Sequence, residues 1–241
     1  MKRTERHHLK ENELSVLAQS ARRAAQERRG PLLSFVVALA VLAVVALGYF
    51  GWRGRVEGRA GALLAEASIV ETARVGPPAA PGAPSPGLTF PTERDKLQAA
   101  LAKFKAVADQ YPSTDAGLFA RYREATIQIA LGNAADAMKA YQLVIDRAGS
   151  RIYGQMARLG LAEAQARAGQ YDSAINAYKE LAAQRDGSLP IDGILMQLGR
   201  TYLDAGKPSD AQQVFSRVVE EFPNSPFSGD ARRELDTLKK T

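Results

Sequence analysis

The side chains that most often carry out chemistry in proteins are almost missing from this sequence. It contains no cysteine, and its two histidines are neighbours, His7 and His8. Neither residue occurs beyond Trp52, which excludes a Ser–His–Asp triad, a thiolate nucleophile and a histidine zinc site there. Glu220 and Glu221 are adjacent on a predicted helix, so their carboxylates point in different directions and suit solvation better than acid–base work. We predict no catalytic, cofactor-binding or metal-binding residue, and hence a protein that is not an enzyme.

Charge is unevenly distributed along the 241 residues. Residues 1–52 carry 8 Lys and Arg against 4 Asp and Glu, whereas the other 189 residues carry 24 against 22. The formal net charge of +6 therefore comes mostly from the N-terminal tail. Because a phosphate backbone needs a basic surface, and the rest of the chain is close to neutral, we predict no nucleic-acid partner.

An uncharged stretch follows the basic tail. Pro31–Phe50 contains twenty residues without a charge, and as a helix they would span about 30 Å, the thickness of a hydrocarbon core. Trp52 follows, where amphipathic rings favour the headgroup layer. A cleaved signal peptide is the main alternative, but the preceding tail and the apolar run are both longer than usual. We predict one uncleaved transmembrane helix over residues 31–52.

The Lys and Arg residues on either side of this span predict its orientation. Eight of them precede the span, and only Arg53, Arg55 and Arg59 follow in the next 20 residues. Because positive charge is retained in the cytoplasm, the N-terminus is predicted to be cytoplasmic and everything after Trp52 to lie outside. In a bacterium, this single-pass protein would sit in the inner membrane with its C-terminal domain in the periplasm.

The region beyond the predicted membrane helix is internally repetitive. Four sets of similar residues recur at a spacing of 37 residues. A small alanine lets two helices approach closely, an aromatic residue four positions later lies on the same face, and a glycine supports the left-handed turn that ends a helix. The sets are Ala100, Ala137, Ala174 and Ala211; Phe104, Tyr141, Tyr178 and Phe215; Val107, Val144, Leu181 and Val218; and Gly132, Gly169 and Gly206.

These columns resemble the consensus of the tetratricopeptide repeat (TPR), a helix–turn–helix unit of about 34 residues. The last repeat matches best, at Leu195, Leu198, Gly199, Tyr202, Ala211, Phe215 and Pro223. The resemblance implies an all-α fold: a TPR-like helical solenoid of about 3.5 to 4 repeats with a C-terminal capping helix. Together with the uncharged stretch, this predicts a solenoid on a single N-terminal transmembrane helix.

The repeat pattern predicts alternating first and second helices. The first repeat lacks a helix in front of its second one, and we expect Arg55–Val75 to fill that place, because an unpaired solenoid end exposes apolar surface. A free stalk helix is the alternative. First helices are expected near 116–131, 152–168 and 191–205, second helices near 93–110, 133–148, 170–185 and 209–221, and a capping helix near 227–240.

Domain limits follow from these elements. Six prolines within Gly76–Pro91 disfavour a helix and indicate a linker. The predicted segments are a basic cytoplasmic tail (1–30), the transmembrane helix (31–52), a stem or first TPR helix (53–75), a Pro-rich linker (76–91) and the TPR domain (92–241).

By the TPR resemblance, a partner would bind in a groove lined by the first helix of each repeat. Methionines and aromatic rings among the expected lining residues suit adaptable peptide binding. The candidate residues are Phe119, Tyr122, Thr126 and Ile129; Met156, Leu159, Glu163 and Arg167; and Met196, Arg200, Leu203 and Asp204.

The order of elements, from basic tail and span through an Ala- and Leu-rich helix and a Pro-rich insert to the repeats, is similar to the ancillary SecYEG translocon subunit family of the bacterial inner membrane. That resemblance implies docking beside the secretion channel and hand-over of emerging chains to periplasmic chaperones. The C-terminal repeats also resemble those of the Tol-Pal cell-division coordinator and of outer-membrane assembly lipoproteins. An envelope-organising scaffold is therefore the alternative, and in both cases the partners would be other proteins.

Overall fold

A computed structural model describes residues 29–77, 87–184 and 188–240, with side chains from residue 34 onward. The basic tail, with His7 and His8, and most of the predicted Pro-rich linker lie outside these residues. Two compact units divide the chain, Met1–Arg55 and Val56–Thr241. The described elements are α1 (Arg29–Glu71), β1 (Arg74–Val75), β2 (Thr89–Phe90), α2 (Glu93–Gln110), α3 (Asp115–Ala130), α4 (Ala134–Ala148), α5 (Ile152–Arg167), α6 (Tyr171–Ala183), α7 (Ile191–Asp204), α8 (Pro208–Glu221) and α9 (Ser228–Leu238).

Within the described part of the chain, one helix is long and apolar enough to cross a membrane, namely α1 from Ser34 onward. Large apolar side chains on every side of its N-terminal half are exposed, among them Leu42 at 68% and Leu47 at 74%. A helix with apolar side chains all round needs an apolar environment on all its faces. The length and composition of α1 therefore suit a bilayer.

Helix pairs in the second unit turn at the predicted glycines. Gly132, Gly169 and Gly206 have φ values of +85°, +76° and +70°, and each follows the end of a first helix. After Gly132, the N–H of Asn133 donates to Gln128 O at 2.8 Å, and equivalent bonds follow Gly169 and Gly206. Such a bond satisfies a carbonyl that the helix end leaves without a partner and reverses the chain. The two helices of each pair, α3–α4, α5–α6 and α7–α8, are therefore joined by the same type of turn.

The other repeated columns form the core between these helices. The four alanines Ala100, Ala137, Ala174 and Ala211 are each 0% exposed, and the four aromatic residues that follow them are at most 2% exposed. Val107, Val144, Leu181 and Val218 are also buried. The residues that recur in the sequence are thus those that the helix pairs bury, and the predicted 37-residue register agrees with the packing.

Two glycines leave room for aromatic rings of this core. A Cβ atom built on Gly199 would lie 2.4 Å from Phe215 Cε1, and one built on Gly160 would lie 2.4 Å from Tyr141 Cζ. No side chain could occupy either space without moving the ring. Close helix approach at these points explains why a glycine faces the aromatic column.

The C-terminal part of α1 packs on the repeats within the second unit. Ala67 is fully buried in a cluster with Ala100 and Phe104. Glu57 accepts the amide N–H of Ala116 at the start of α3, at 3.2 Å, and Glu71 forms an ion pair with Arg123 of α3. These contacts favour α1 as the missing first helix over a free stalk, while the five domain limits remain predictions.

A strand pairing that the sequence did not predict joins the two ends of the linker region. Arg74 pairs with Thr89 and Val75 with Phe90, in parallel. The helix that was expected to reach Val75 therefore ends at Glu71, because the next residues enter this pairing. The ends of the Pro-rich segment consequently lie side by side.

Substitution of Ala174 by leucine should lower the free energy of unfolding by about 1–3 kcal/mol, because added atoms overpack a closely spaced helix pair. Ala174 is 0% exposed on α6. Ala183 is exposed on the same helix, so Ala183→Leu should change stability by about 0.5 kcal/mol or less. Denaturant unfolding of residues 53–241 measures both. Equal effects at the two positions would contradict the register.

Candidate functional site

Half-buried aromatic side chains of two neighbouring first helices meet on one face of the second unit. The Phe119 ring lies 6.5 Å from Tyr122 on α3 and 5.9 Å from Tyr153 on α5, measured between centroids. Tyr122 also lies 5.8 Å from the buried ring of Tyr141. Aromatic pairs at these separations stabilise one another, and the half-exposed rings retain surface for a ligand. We call Phe119, Tyr122 and Tyr153 the aromatic patch.

Hydroxyl groups connect this patch to the core behind it. Thr126 donates to the backbone oxygen of Tyr122 at 3.0 Å, and its Oγ1 lies 3.3 Å from the Tyr141 hydroxyl. Since the Thr126 proton is already used, Tyr141 donates and Thr126 accepts. Burial raises the pKa of Tyr141 to about 12, so this hydroxyl stays neutral at physiological pH. Thr126 and the half-buried Ile129 thus support the patch from the same helix.

Farther along α5, two predicted residues line a cleft of about 180 Å³ that faces α7. Leu159 and Glu163 form one wall, and Gly193, Gln197 and Phe227 form part of the other. A Cβ atom on Gly193 would lie 3.3 Å from Phe227 Cε2, so the glycine lets the Phe227 ring pack closely against α7 within this wall. We call this space the groove cleft. Because the aromatic patch joins α3 to α5 and the cleft joins α5 to α7, one continuous face crosses three first helices.

Charged residues on this face are held in ion pairs. Glu163 accepts two bonds from Arg167, at 3.1 Å and 2.9 Å. Arg200 lies 3.8 Å from Asp230 of α9. Because each of these two pairs combines opposite charges, neither sign dominates where a ligand would contact these four groups.

The structure excludes one predicted groove residue. Met196 is 1% exposed and belongs to a core cluster that includes Ala231 of α9, so it cannot contact a ligand. Leu203 is half-buried against the same cluster, and Asp204 is exposed at the end of α7. Met156 is half-buried on α5. The predicted face is therefore best developed on α3 and α5.

The predicted groove set did not include Tyr153, Gly193, Gln197 or Phe227, although Gly193 and Gln197 match family positions where other TPR domains hold a carboxylate. Tyr153 lies three residues before Met156, a spacing that places both on one helical face, and this was an available signal. Phe227 could not be found in this way, because it precedes α9 and reaches the cleft only through the folded chain.

Comparison with known families identifies the repeated unit. A tetratricopeptide repeat model matches residues 168–228, and a second one matches residues 119–149. The chain carries tetratricopeptide repeats. The matched segments contain three of the four aromatic column residues, Tyr141, Tyr178 and Phe215. The predicted all-α, TPR-like solenoid is therefore confirmed.

A solved structure with TPR-like repeats has a similar fold. The nearly identical TPR-like repeats of a Podosopora anserina protein described as a kinesin light chain cover 76% of this chain and 86% of that chain, with 14% identity and a TM-score of 0.58. A tetratricopeptide repeat protein from Parabacteroides merdae covers 61% of this chain and 56% of that chain, with 18% identity and a TM-score of 0.48. No curated protein matches the sequence. TPR units bind other proteins, and these repeats indicate a protein–protein interaction scaffold.

Proposed function

We propose that this chain is a membrane-anchored, non-enzymatic scaffold whose first-helix face binds a segment of another protein. The aromatic patch carries the proposal, because three half-exposed rings that contact one another form a preorganised apolar surface. Tyrosine and phenylalanine offer large contact areas at a low cost in side-chain entropy, and aromatic residues are enriched at binding hot spots.

The groove cleft gives the partner a second point of attachment. Its volume of about 180 Å³ and its lining by Leu159 and Phe227 suit one apolar side chain. Since Glu163 is paired with Arg167, a partner would gain little from a charge opposite either residue. We therefore expect the partner segment to be selected mainly by its apolar and aromatic side chains.

Membrane attachment through α1 would place this face near other envelope proteins. The Lys and Arg count predicts a cytoplasmic N-terminus, and the contacts of Glu57 and Glu71 with α3 begin soon after the predicted span. In a bacterium the repeats would then lie in the periplasm. We propose assistance to secretion at the translocon, with hand-over to periplasmic chaperones, as the role of this arrangement.

Site-specific crosslinking in native membranes tests the partner class. A photocrosslinking residue in place of Phe119 should capture translocon subunits or periplasmic chaperones, whereas one in place of Gln213, exposed on α8, provides the control. Capture of outer-membrane assembly or Tol-Pal components at position 119 would favour the envelope-organising alternative instead. Equal products at both positions would refute binding by the first-helix face.

With a captured partner, Phe119→Ala should weaken binding about tenfold, because removal of a central aromatic contact typically costs more than 1 kcal/mol. Gln213→Ala should leave the affinity unchanged, since Gln213 lies on a second helix and is exposed. Fluorescence anisotropy with the purified partner measures both. An unchanged affinity for Phe119→Ala would show that the patch does not bind the partner.

Topology gives a separate prediction. A reporter that is active only outside the cytoplasm should be active when it is fused after Thr241 and inactive when it is fused before Met1. The opposite pattern would contradict the orientation, although binding by the TPR face could still hold.

A further inference from the structure

One edge of the second unit carries the turns that lead from each second helix to the next first helix. It begins at Glu57 of α1, whose carboxylate accepts the N–H of Ala116 in the first turn of α3, at 3.2 Å. Next to this contact, Asp115 accepts from Arg151 Nη1 at 3.0 Å, so the α2–α3 turn and the α4–α5 turn lie side by side. We call residues 56–59, 111–115 and 147–152 the turn edge.

The turn edge begins close to the predicted membrane span along the chain. Val56, the first residue of the second unit, follows Trp52 by four residues, and four residues reach at most about 14 Å. A chain that spans the membrane through residues 31–52 therefore holds the start of this edge near the lipid headgroups. Such a tether raises the local concentration of headgroups, so contacts too weak to attract a free protein can still form.

Two arginines of the turn edge have no carboxylate partner. Arg59 and Arg147 are exposed, and neither forms an ion pair within the described residues. The acids around them are already engaged, because Glu57 accepts a backbone N–H, Asp115 pairs with Arg151, and Asp146 accepts a bond from its own helix. Guanidinium groups bind phosphate oxygens in a bidentate manner, so the edge is suited to anionic phosphate groups.

An exposed apolar side chain lies among these charges. Ile152, the first residue of α5, is 45% exposed and directly follows Arg151. The first turn of α5 contains no acidic residue, whereas that of α7 contains Asp192, so no carboxylate of this turn would repel a phosphate. An aliphatic side chain at such a place gains from entering the boundary between headgroups and acyl chains, while the arginines stay with the phosphates.

We propose that the turn edge docks on the anionic lipid surface of the membrane that holds α1. Arg59 and Arg147 bind lipid phosphates, and Ile152 enters between the headgroups. The proposal rests on the membrane anchoring proposed above, since the anchor keeps this surface within reach and its phosphates supply the anions that the two arginines lack. Because Tyr153 of the aromatic patch follows Ile152, docking holds that patch close to the membrane surface.

Single fluorescent labels on the full-length chain test this contact, because the sequence has no cysteine of its own. The chain is reconstituted in vesicles of phosphatidylcholine mixed with phosphatidylglycerol, or of phosphatidylcholine alone. Ile152→Cys carries the fluorophore, and lipids with a spin label at the headgroup quench it on contact. Gln170→Cys is the matched control, because it is exposed beyond the opposite end of α5, whose 16 residues span about 24 Å.

In vesicles that contain phosphatidylglycerol, we expect the label at position 152 to be quenched and the label at position 170 to stay unquenched. Phosphatidylcholine alone should not hold the edge, and high salt should release it, because salt screens exposed charges. Replacement of both Arg59 and Arg147 by glutamine should lower the ratio of docked to undocked chains about thirtyfold, which corresponds to about 1 kcal/mol for each residue. Arg232→Gln, at an exposed arginine of α9, should change nothing.

Three results would overturn the proposal: an unquenched label at position 152 in anionic vesicles, equal quenching at positions 152 and 170, or quenching that the double arginine substitution and high salt both leave unchanged. Thermal unfolding shows whether each variant folds, and the salt comparison, which keeps both arginines, decides the matter if the double variant does not fold. Extraction with alkaline carbonate separates the two proposals. Release of the chain would refute the membrane anchor as well, whereas a retained chain without quenching would refute docking alone.

Discussion

Tyr178→Ala is expected to lower the free energy of unfolding by about 3–5 kcal/mol, the usual result of removing a large ring from a packed core. The Tyr178 side chain is 1% exposed and lies in a cluster with Ala174, Leu195 and Phe215. It also lines the groove cleft, so its ring lies between the repeat that contains α6 and the one that contains α7 and contacts both. Its loss removes contacts on both sides of this boundary.

Tyr178→Phe is the matched control. It keeps the ring and removes only the hydroxyl, so stability should change by about 1.5 kcal/mol or less. Burial raises the pKa of Tyr178, and the hydroxyl is therefore neutral in the native state at physiological pH. Denaturant unfolding of residues 53–241, followed by far-UV circular dichroism, measures both variants. If Tyr178→Ala left the free energy of unfolding unchanged, the aromatic column would not hold adjacent repeats together.

Repetition made the solenoid predictable from the sequence. Alanine, aromatic, aliphatic and glycine columns recur because each repeat meets the same packing problem at the same places, as Ala174, Tyr178 and Gly169 illustrate. Once the period of 37 residues is known, the helices follow from it, and their observed ends lie within two residues of the predicted ones for α2 to α9.

The 37-residue register did not predict which side chains are accessible at the C-terminal end of the stack. Met196 occupies the position that Tyr122 and Leu159 occupy in the preceding repeats, but those two residues are half-buried and Met196 is covered. At this end α9 lies against α7, as the Phe227–Gly193 and Arg200–Asp230 contacts show. Periodicity predicts equivalent positions, but the neighbours of a terminal repeat differ from those of an internal one.

Periodicity also could not predict contacts between distant segments of the chain. The pairing of Arg74 with Thr89 joins two short segments with no repeat equivalent. Side chains from α4, α5 and α6 line another cleft, of about 390 Å³, and nothing in the spacing of Gln142, Gln165 and Asn176 indicates that they meet. Such features require the folded chain.

A buried ion cluster between α2 and α3 is another feature of this kind. Arg121 and Glu124 are each 7% exposed and form a bond of 2.6 Å, and Arg121 also pairs with Asp109 of α2. The Arg121 guanidinium beside Asp109 holds the pKa of that carboxyl below its ordinary value near 3.8. Burial raises the pKa of Glu124 above its ordinary value near 4.5, although Arg121 opposes this shift. Arg121 therefore pairs with both carboxylates, and Lys105 also pairs with Asp109, at 3.0 Å.

Arg121→Met should lower the free energy of unfolding by about 3 kcal/mol at pH 7, because Glu124 is left buried without its cation. A carboxyl whose native pKa is raised destabilises the fold when ionised, so its contribution is most favourable below pH 4.5 and is lost as pH rises through the native pKa. Without Arg121 the native pKa of Glu124 rises further, so the deficit of the variant should shrink as pH falls from about 7 to 4. The pairing of Arg121 with Asp109 changes the deficit in the same direction. The wild type loses the stability that this pair contributes only as pH falls below the ordinary Asp pKa near 3.8. Denaturant unfolding at several pH values measures the deficit, with exposed Arg94→Met on α2 as the control at about 0.5 kcal/mol or less. A deficit that is constant with pH would show that Arg121 stabilises the fold by packing alone and not by pairing with Glu124.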